Sequence, residues 1–211
     1  MVHARASSRF AGLLIAACVL GFSASTAVAQ EGGTYETEGV KGFKAYEAGD
    51  YATALKEFLP LAEKGQVSAQ AAVGQMYFEG KGVQPDPVQA AKWLTPAAAG
   101  GNARAQFLLG KLYLSGEGVA ADPAKAVALT KAAADQGLPE AQFDLCSLYY
   151  QGVGVQKDLV QAYLYATLAA RQGHQDAQYV VELLNQDMKP EQVAQGDALV
   201  KAWKPVLPDI Q

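Results

Sequence analysis

The chain is short of the residues that most chemistry needs. Of its 211 residues, two are cysteine and two are histidine, and no stretch carries a block of one charge. With 17 Lys+Arg against 21 Asp+Glu the net charge is −4. A mildly acidic chain lacks the basic footprint that displaces counterions from a nucleic acid, so no nucleic-acid partner is expected. One histidine, His3, and one cysteine, Cys18, sit in an N-terminal stretch that reads as removable. What remains is His174 and Cys146. A single cysteine excludes an internal disulfide framework in an exported protein. A single histidine leaves little for a Ser–His–Asp triad or a two-histidine zinc site. Neither cofactor nor metal is expected, and the chain does not read as an enzyme. Carboxylate pairs of the glycosidase kind stay open, because two distant acids can meet in space.

The N-terminus looks like a targeting segment. His3, Arg5 and Arg9 form a basic start, Phe10 to Phe22 is apolar but short for a bilayer span, and Ala27-Val28-Ala29 is an A-x-A cleavage pattern before Gln30. Residues 1–29 are therefore expected to be a signal peptide, and the mature chain to be periplasmic or secreted, with no transmembrane segment. Arg5 and Arg9 leave with the signal, which contains no acid, so the net charge falls from −4 to −6. A retained anchor is one alternative. Lipoprotein processing at Cys18, after Ile15-Ala16-Ala17, is another, although the apolar run continues through Val19-Leu20-Gly21-Phe22. Residues 30–37, with Gly32-Gly33 and no periodicity, read as a flexible leader.

What the rest has in abundance is repetition. Ala69-Gln70, Ala105-Gln106, Ala141-Gln142 and Ala177-Gln178 recur at steps of 36. Tyr77, Tyr113 and Tyr149 keep the step, as do Gly80, Gly116 and Gly152, Gly82, Gly118 and Gly154, and Asp86, Asp122 and Asp158. In one unit, Ala105, Leu109, Leu112 and Tyr113 form an apolar helical stripe. Gly110 on that stripe admits a close neighbour, and Cys146 takes the corresponding place as a small buried residue. Gly116 suits a left-handed helix end, Asp122 an N-cap, and Pro123 the first helical position. Ala126, Leu129, Ala133 and Ala134 point inward on the next helix, which stops at Gly137. First helices are expected near 67–79, 103–115, 139–151 and 175–187, and second helices near 51–64, 87–99, 123–136 and 159–172. A helix near 38–48 opens the array. A last segment from Pro190, with Val193, Val200 and Trp203 on one face, reads as a C-terminal cap. The domain spans 38–205, with units near 38–65, 66–101, 102–137, 138–173 and 174–187 and the cap at 190–203. The fold class is all-α, an α-solenoid of 36-residue helix–turn–helix repeats.

The run from Ala105 to Ala126, A-Q-x-x-L-G-x-L-Y-x-x-G-x-G-V-x-x-D-x-x-K-A, resembles the Sel1-like repeat, a longer-looped relative of the tetratricopeptide repeat. The likeness is strong over 66–173 and weaker over 42–65 and 174–187. It implies a right-handed α-α superhelix whose first helices line a concave face. It also implies a scaffold or regulator rather than a catalyst, in the cell envelope for exported bacterial relatives: signalling receptors, polysaccharide secretion, flagellar motors and host contact are among their settings. The disulfide-stapled, penicillin-linked subgroup has cysteines in every repeat that this chain lacks, so that chemistry is not carried over.

By analogy with tetratricopeptide arrays, the first-helix residues off the packing stripe are the candidate partner-binding set: Phe107, Phe143 and Tyr179 at steps of 36, with Gln75, Arg104, Lys111, Glu140 and Tyr150 nearby. An aromatic column with charged neighbours suits a protein or peptide segment, and a cell-wall polysaccharide is the alternative partner. The aromatic positions can equally be packing features of the repeat. His174 falls at a helix start, where local capping is its expected role. Gly80-Lys81-Gly82 lacks the Walker spacing and a preceding strand, and reads as a helix connector.

Overall fold

The computed structural model describes residues 39–206. The expected signal peptide and leader lie outside them. Ten helices and no strand are found among the described residues. The chain forms two compact units divided between Asn102 and Ala103. The first contains α1 (Val40–Glu47), α2 (Tyr51–Glu63), α3 (Val67–Glu79) and α4 (Pro87–Ala99). The second contains α5 (Ala103–Ser115), α6 (Pro123–Asp135), α7 (Pro139–Gln151), α8 (Leu159–Arg171), α9 (Ala177–Asp187) and α10 (Pro190–Ala202). Within each unit the helices pack on their neighbours in chain order, except that α10 returns to lie on α8.

The start and stop signals act locally, as the sequence suggests. Asp86 and Asp158 each accept from two backbone N–H groups of the following helix, and Asp122 accepts from Lys125 N–H. Each such cap satisfies first-turn N–H groups that have no intrahelical partner. The backbone N–H of the same aspartates donates to the carbonyls of Tyr77, Tyr113 and Tyr149, which pins each connecting loop to the helix it leaves. Gly154 shows why these loops need glycine: its φ is +67°, and a Cβ there would collide with the Pro123 carbonyl at the start of α6. α9 begins two residues later than expected, because His174 to Ala177 form a turn closed by Ala177 N–H donating to the His174 carbonyl. Leu129, expected inward, is half-buried.

Helix pairs close on a matched contact. A Cβ at Gly74 would lie 2.7 Å from Leu94, and one at Gly110 would lie 2.8 Å from Thr130 Oγ1. Where the first helix carries the larger Cys146, the residue at the corresponding place in α8 is the smaller Ala166, fully buried. Room given on one side is taken on the other, as dense cores require. The cap expected at the C-terminus follows the same rule. Gly196 of α10 sits against the Tyr163 ring, Val200 is buried, and Tyr163 OH donates to Asp197 at 3.0 Å. Trp203 lies just past the helix end, and Val206 N–H donates to the Asp135 carbonyl.

The repeated glutamine has a role that spacing alone does not disclose. Gln142 Nε2 donates to the Ala134 carbonyl at the end of α6, and its Oε1 accepts from Gln172 Nε2 at 2.7 Å. Gln70 makes the matching bond to the Ala62 carbonyl, and Gln106 Oε1 accepts from Gln136. The Gln70 and Gln142 amides give the Ala62 and Ala134 carbonyls a second donor beside the turn bonds from Gly65 and Gly137 N–H. Gln178, at the same repeat position in α9, is exposed. Gln142→Ala is therefore expected to cost about 2 kcal/mol, and Gln178→Ala under about 0.5 kcal/mol. Urea unfolding followed by circular dichroism checks this; equal midpoints for the two variants would show that the amide does not latch the helices.

Candidate functional site

Within the second unit, α5 presents Arg104, Phe107 and Lys111 at spacings that share a face, and α7 presents Glu140, Phe143 and Asp144 likewise. Arg104 and Glu140, 36 residues apart, pair at 3.3 Å. A pair of this exposure is worth about 0–1 kcal/mol and serves more to fix the two side chains than to hold the helices. The Arg104 guanidinium lies 5.8 Å and the Lys111 ammonium 5.5 Å from the Phe107 ring centre, close enough for cation–π attraction. Phe107 itself is only 5% exposed, so it is a packing residue as well as a platform. Phe143 is half-buried and stacks on His174, with ring centres 4.1 Å apart and planes 18° apart.

The other expected residues stand apart from this group. Gln75 is a buried residue of α3 in the first unit, and its Nε2 donates to Glu79 at 2.7 Å. Tyr150, at the far end of α7, bonds to Asp187 at 3.3 Å and lies under Lys157. Tyr179 is 64% exposed. The three aromatic positions at steps of 36 thus run from buried through half-buried to open. His174 does not cap a helix. Its ring is used in the stack on Phe143, and its Nδ1 is buried without a hydrogen-bond partner.

Asp144 escaped the reading by motif. Its repeat position holds Ala72, Leu108 and Val180 in the other units, and Ala72 and Leu108 are buried. Here an acid occupies a place the repeat fills with an apolar side chain. Burial pushes its carboxyl above the usual carboxylate range; the charges of Lys111 and His174 oppose that shift, and Glu140 adds to it. The signal was available as a break in the repeat at a core-facing register. A second feature came only with tertiary structure: α10 folded on α8 leaves a cleft of about 770 Å³ lined by Arg171, Asp197, Lys201 and Trp203 among others. Burial pushes the Cys146 thiol up to about 12, which keeps it protonated and inert at neutral pH. Among the described residues no three His, Cys, Asp or Glu side chains cluster as a metal site would require, and no helix is long and apolar enough to cross a membrane.

Three consecutive segments, 67–102, 103–138 and 139–174, match the Sel1 repeat. The chain belongs to the Sel1 repeat family. Comparison with curated proteins finds no match. Among solved structures, it is similar to a protective antigen present in uropathogenic Escherichia coli strains that displays an SLR fold. The TM-score there is 0.69 at 29% identity, over 78% of this chain and 38% of that one. It is also similar to a Sel1 repeat protein from Oxalobacter formigenes, with a TM-score of 0.62 at 30% identity, over 67% of this chain and 58% of that one. The chain thus spans less than two thirds of either structure. The α-solenoid class read from the spacing is the fold of these relatives, and repeats of this family commonly mediate protein–protein binding.

The Asp144 carboxyl yields a prediction with a definite sign. Its raised folded-state value means that its protonated form is favoured in the fold. That contribution is complete below the ordinary 3.8 and is lost as pH rises through the raised value. Asp144→Leu, which restores the residue of the neighbouring unit, is expected to stabilise the chain at pH 7 by about 1 kcal/mol. That gain raises Tm by about 2–4 °C for a chain of this size. Asp144→Asn is expected to gain at pH 7 and lose that gain at pH 3.5. Thermal melts at both pH values check it; a gain independent of pH would show that the carboxyl is not strained by burial.

Proposed function

We propose that this Sel1-repeat chain is an exported, non-catalytic scaffold of the bacterial cell envelope that holds a segment of a partner protein against the α5–α7 face. The observation that carries the reading is the gathering, on neighbouring first helices, of a fixed ion pair, two cations over the Phe107 ring and the Phe143–His174 stack. Aromatic area with oriented charges at its edge is the usual composition of a protein-binding patch. A scaffold role is also favoured by the inert Cys146 thiol and by the protein-binding habit of the family's repeats. Export rests on the pattern of residues 1–29 alone, and the Oxalobacter and Escherichia relatives set only the bacterial context.

A photo-crosslinking residue at Lys111 in live cells, with one at the exposed Lys92 of the first unit as control, tests the face. The expected result is an adduct with one envelope protein at position 111 that falls at least fivefold when Phe143→Ala is added. Equal adducts at 111 and 92, or indifference to Phe143→Ala, would remove the face from consideration. Mass spectrometry of the same material is expected to show the chain beginning at Gln30.

The cleft beside α10 favours a second reading, binding of peptidoglycan or an exopolysaccharide. Trp203 offers a ring of the kind on which sugars stack, and Arg171 and Lys201 suit carboxylates on a glycan. Sedimentation with insoluble peptidoglycan at two salt concentrations separates the readings. Retention that drops severalfold with Trp203→Ala and leaves the Lys111 adduct intact would favour the glycan.

A further inference from the structure

A repeat protein carries its own control experiment. Each position is sampled several times, and a residue type that recurs is explained by the fold. A residue that departs from its equivalents at a core-facing position, and does so at a cost, needs another explanation. Asp144 is such a departure, standing where other units have Ala72, Leu108 and Val180, and it meets His174, which occupies a position that varies from unit to unit (Gln66, Asn102, Leu138). They lie 30 residues apart in sequence yet within electrostatic reach, and Phe143 joins them by stacking on the imidazole.

Neither residue has a direct partner within the chain for its polar group. Asp144 is half-buried on α7 and has no hydrogen bond or ion pair among the described residues. The nearby cations are directed elsewhere: Arg104 pairs with Glu140, and Lys111 lies over the Phe107 ring. His174 buries Nδ1 with no partner. A carboxylate withdrawn from water without a directly paired counter-charge destabilises the fold, and proteins retain such groups mainly where something else completes them. The surroundings narrow what that is. A metal ion would want three or more ligands, and among the described residues no three His, Cys, Asp or Glu side chains are placed to hold one. An anion would meet Asp144 and Glu140 directly. A cation would find the Asp144 carboxylate unpaired and the flat Phe143–His174 pair beside it, and the net negative chain would draw it in from a distance.

We infer that Asp144, Phe143 and His174 form a subsite for the guanidinium of an arginine on the partner segment, with the Asp144 carboxylate as its counter-ion and the aromatic pair as its stacking surface. A guanidinium fits better than an ammonium, because its planar, weakly hydrated group can stack on a ring and still direct N–H donors at a carboxylate. Occupation would give Asp144 a directly paired counter-charge in addition to the more distant charges of Lys111 and His174. The inference rests on reading the α5–α7 face as the binding face, and it adds the chemistry of one required side chain.

The test uses the mature chain and two blocked tripeptides, acetyl-Gly-Arg-Gly-amide and acetyl-Gly-citrulline-Gly-amide, which share shape and differ in charge. Titrations are followed by amide chemical shifts. The arginine peptide is expected to move the resonances of Phe143, Asp144 and His174 saturably, with at least fivefold higher affinity than the citrulline peptide. Asp144→Asn, which keeps the side chain's size, is expected to remove that fivefold preference while the rest of the spectrum stays in place. Equal affinity for the two peptides, shifts centred elsewhere, or a preference that survives Asp144→Asn would each overturn the subsite. A Lys111 adduct that persists without arginine preference would overturn the subsite alone, whereas loss of the adduct's dependence on Phe143 would overturn the face beneath it.

Discussion

The structure depends on the closeness with which each first helix approaches the second helix of its own pair. At Gly74 and Gly110 the separation leaves no room for a methyl group, and the facing Leu94 and Thr130 fill it from the other side. Cys146 and Ala166 reverse the assignment with the same combined effect. Much else follows from that approach. Helices so close leave short connections, and short connections need left-handed glycines and aspartate caps at fixed places. The spacing of 36 expresses this contact, and the glycines and capping aspartates on it are constrained by neighbouring backbone rather than by a ligand.

A fold specified at so many positions leaves little sequence for function, and this shapes where function can be sought. The glutamine amides are an instance. Gln142 is polar, buried and repeated, which in isolation suggests a site. Its bonds to the Ala134 carbonyl and to Gln172 show that helix ends use its hydrogen-bonding capacity. Asp144 is the opposite case: polar, unrepeated, and without a bond inside the chain. The distinction between the two rests on satisfaction rather than on burial, because burial with partners stabilises and burial without them costs.

Most of the fold was legible in the sequence because its determinants are local. Helix starts at Asp86, Asp122 and Asp158 and stops at Gly80 and Gly152 depend on backbone geometry within a few residues, so pattern alone places them. Within the candidate site, Arg104, Phe107, Lys111, Glu140 and Phe143 were found by helical spacing and are brought together. Gln75, Tyr150 and Tyr179 share the same spacing but not the same surroundings. Spacing gives a direction around a helix; it does not tell how much neighbouring structure covers that direction. The loss of His174 as a cap has the same origin, since a turn that delays α9 by two residues frees the ring to reach Phe143. The cleft beside α10 was not legible at all, because nothing local to Pro190–Ala202 tells that it packs on α8 instead of following α9.

An unsatisfied acid in a close-packed repeat raises the question of how the fold tolerates it. In a solenoid, stability is approximately a sum of terms for each unit and each contact between neighbours, so a cost of about 1 kcal/mol falls on one contact and is not amplified along the chain. The units around Asp144 have what is needed to absorb that cost: the Gln142 latch crosses from α6 through α7 to Gln172, and the Leu145 and Leu148 side chains are buried on the same helix. A single-core domain of this size has less freedom to place an unfavourable group within its packing. Repetition thus does two things for this fold. It secures the packing redundantly through the contact at Gly74, Gly110 and Cys146, and by doing so it lets one unit depart from the apolar pattern at Asp144.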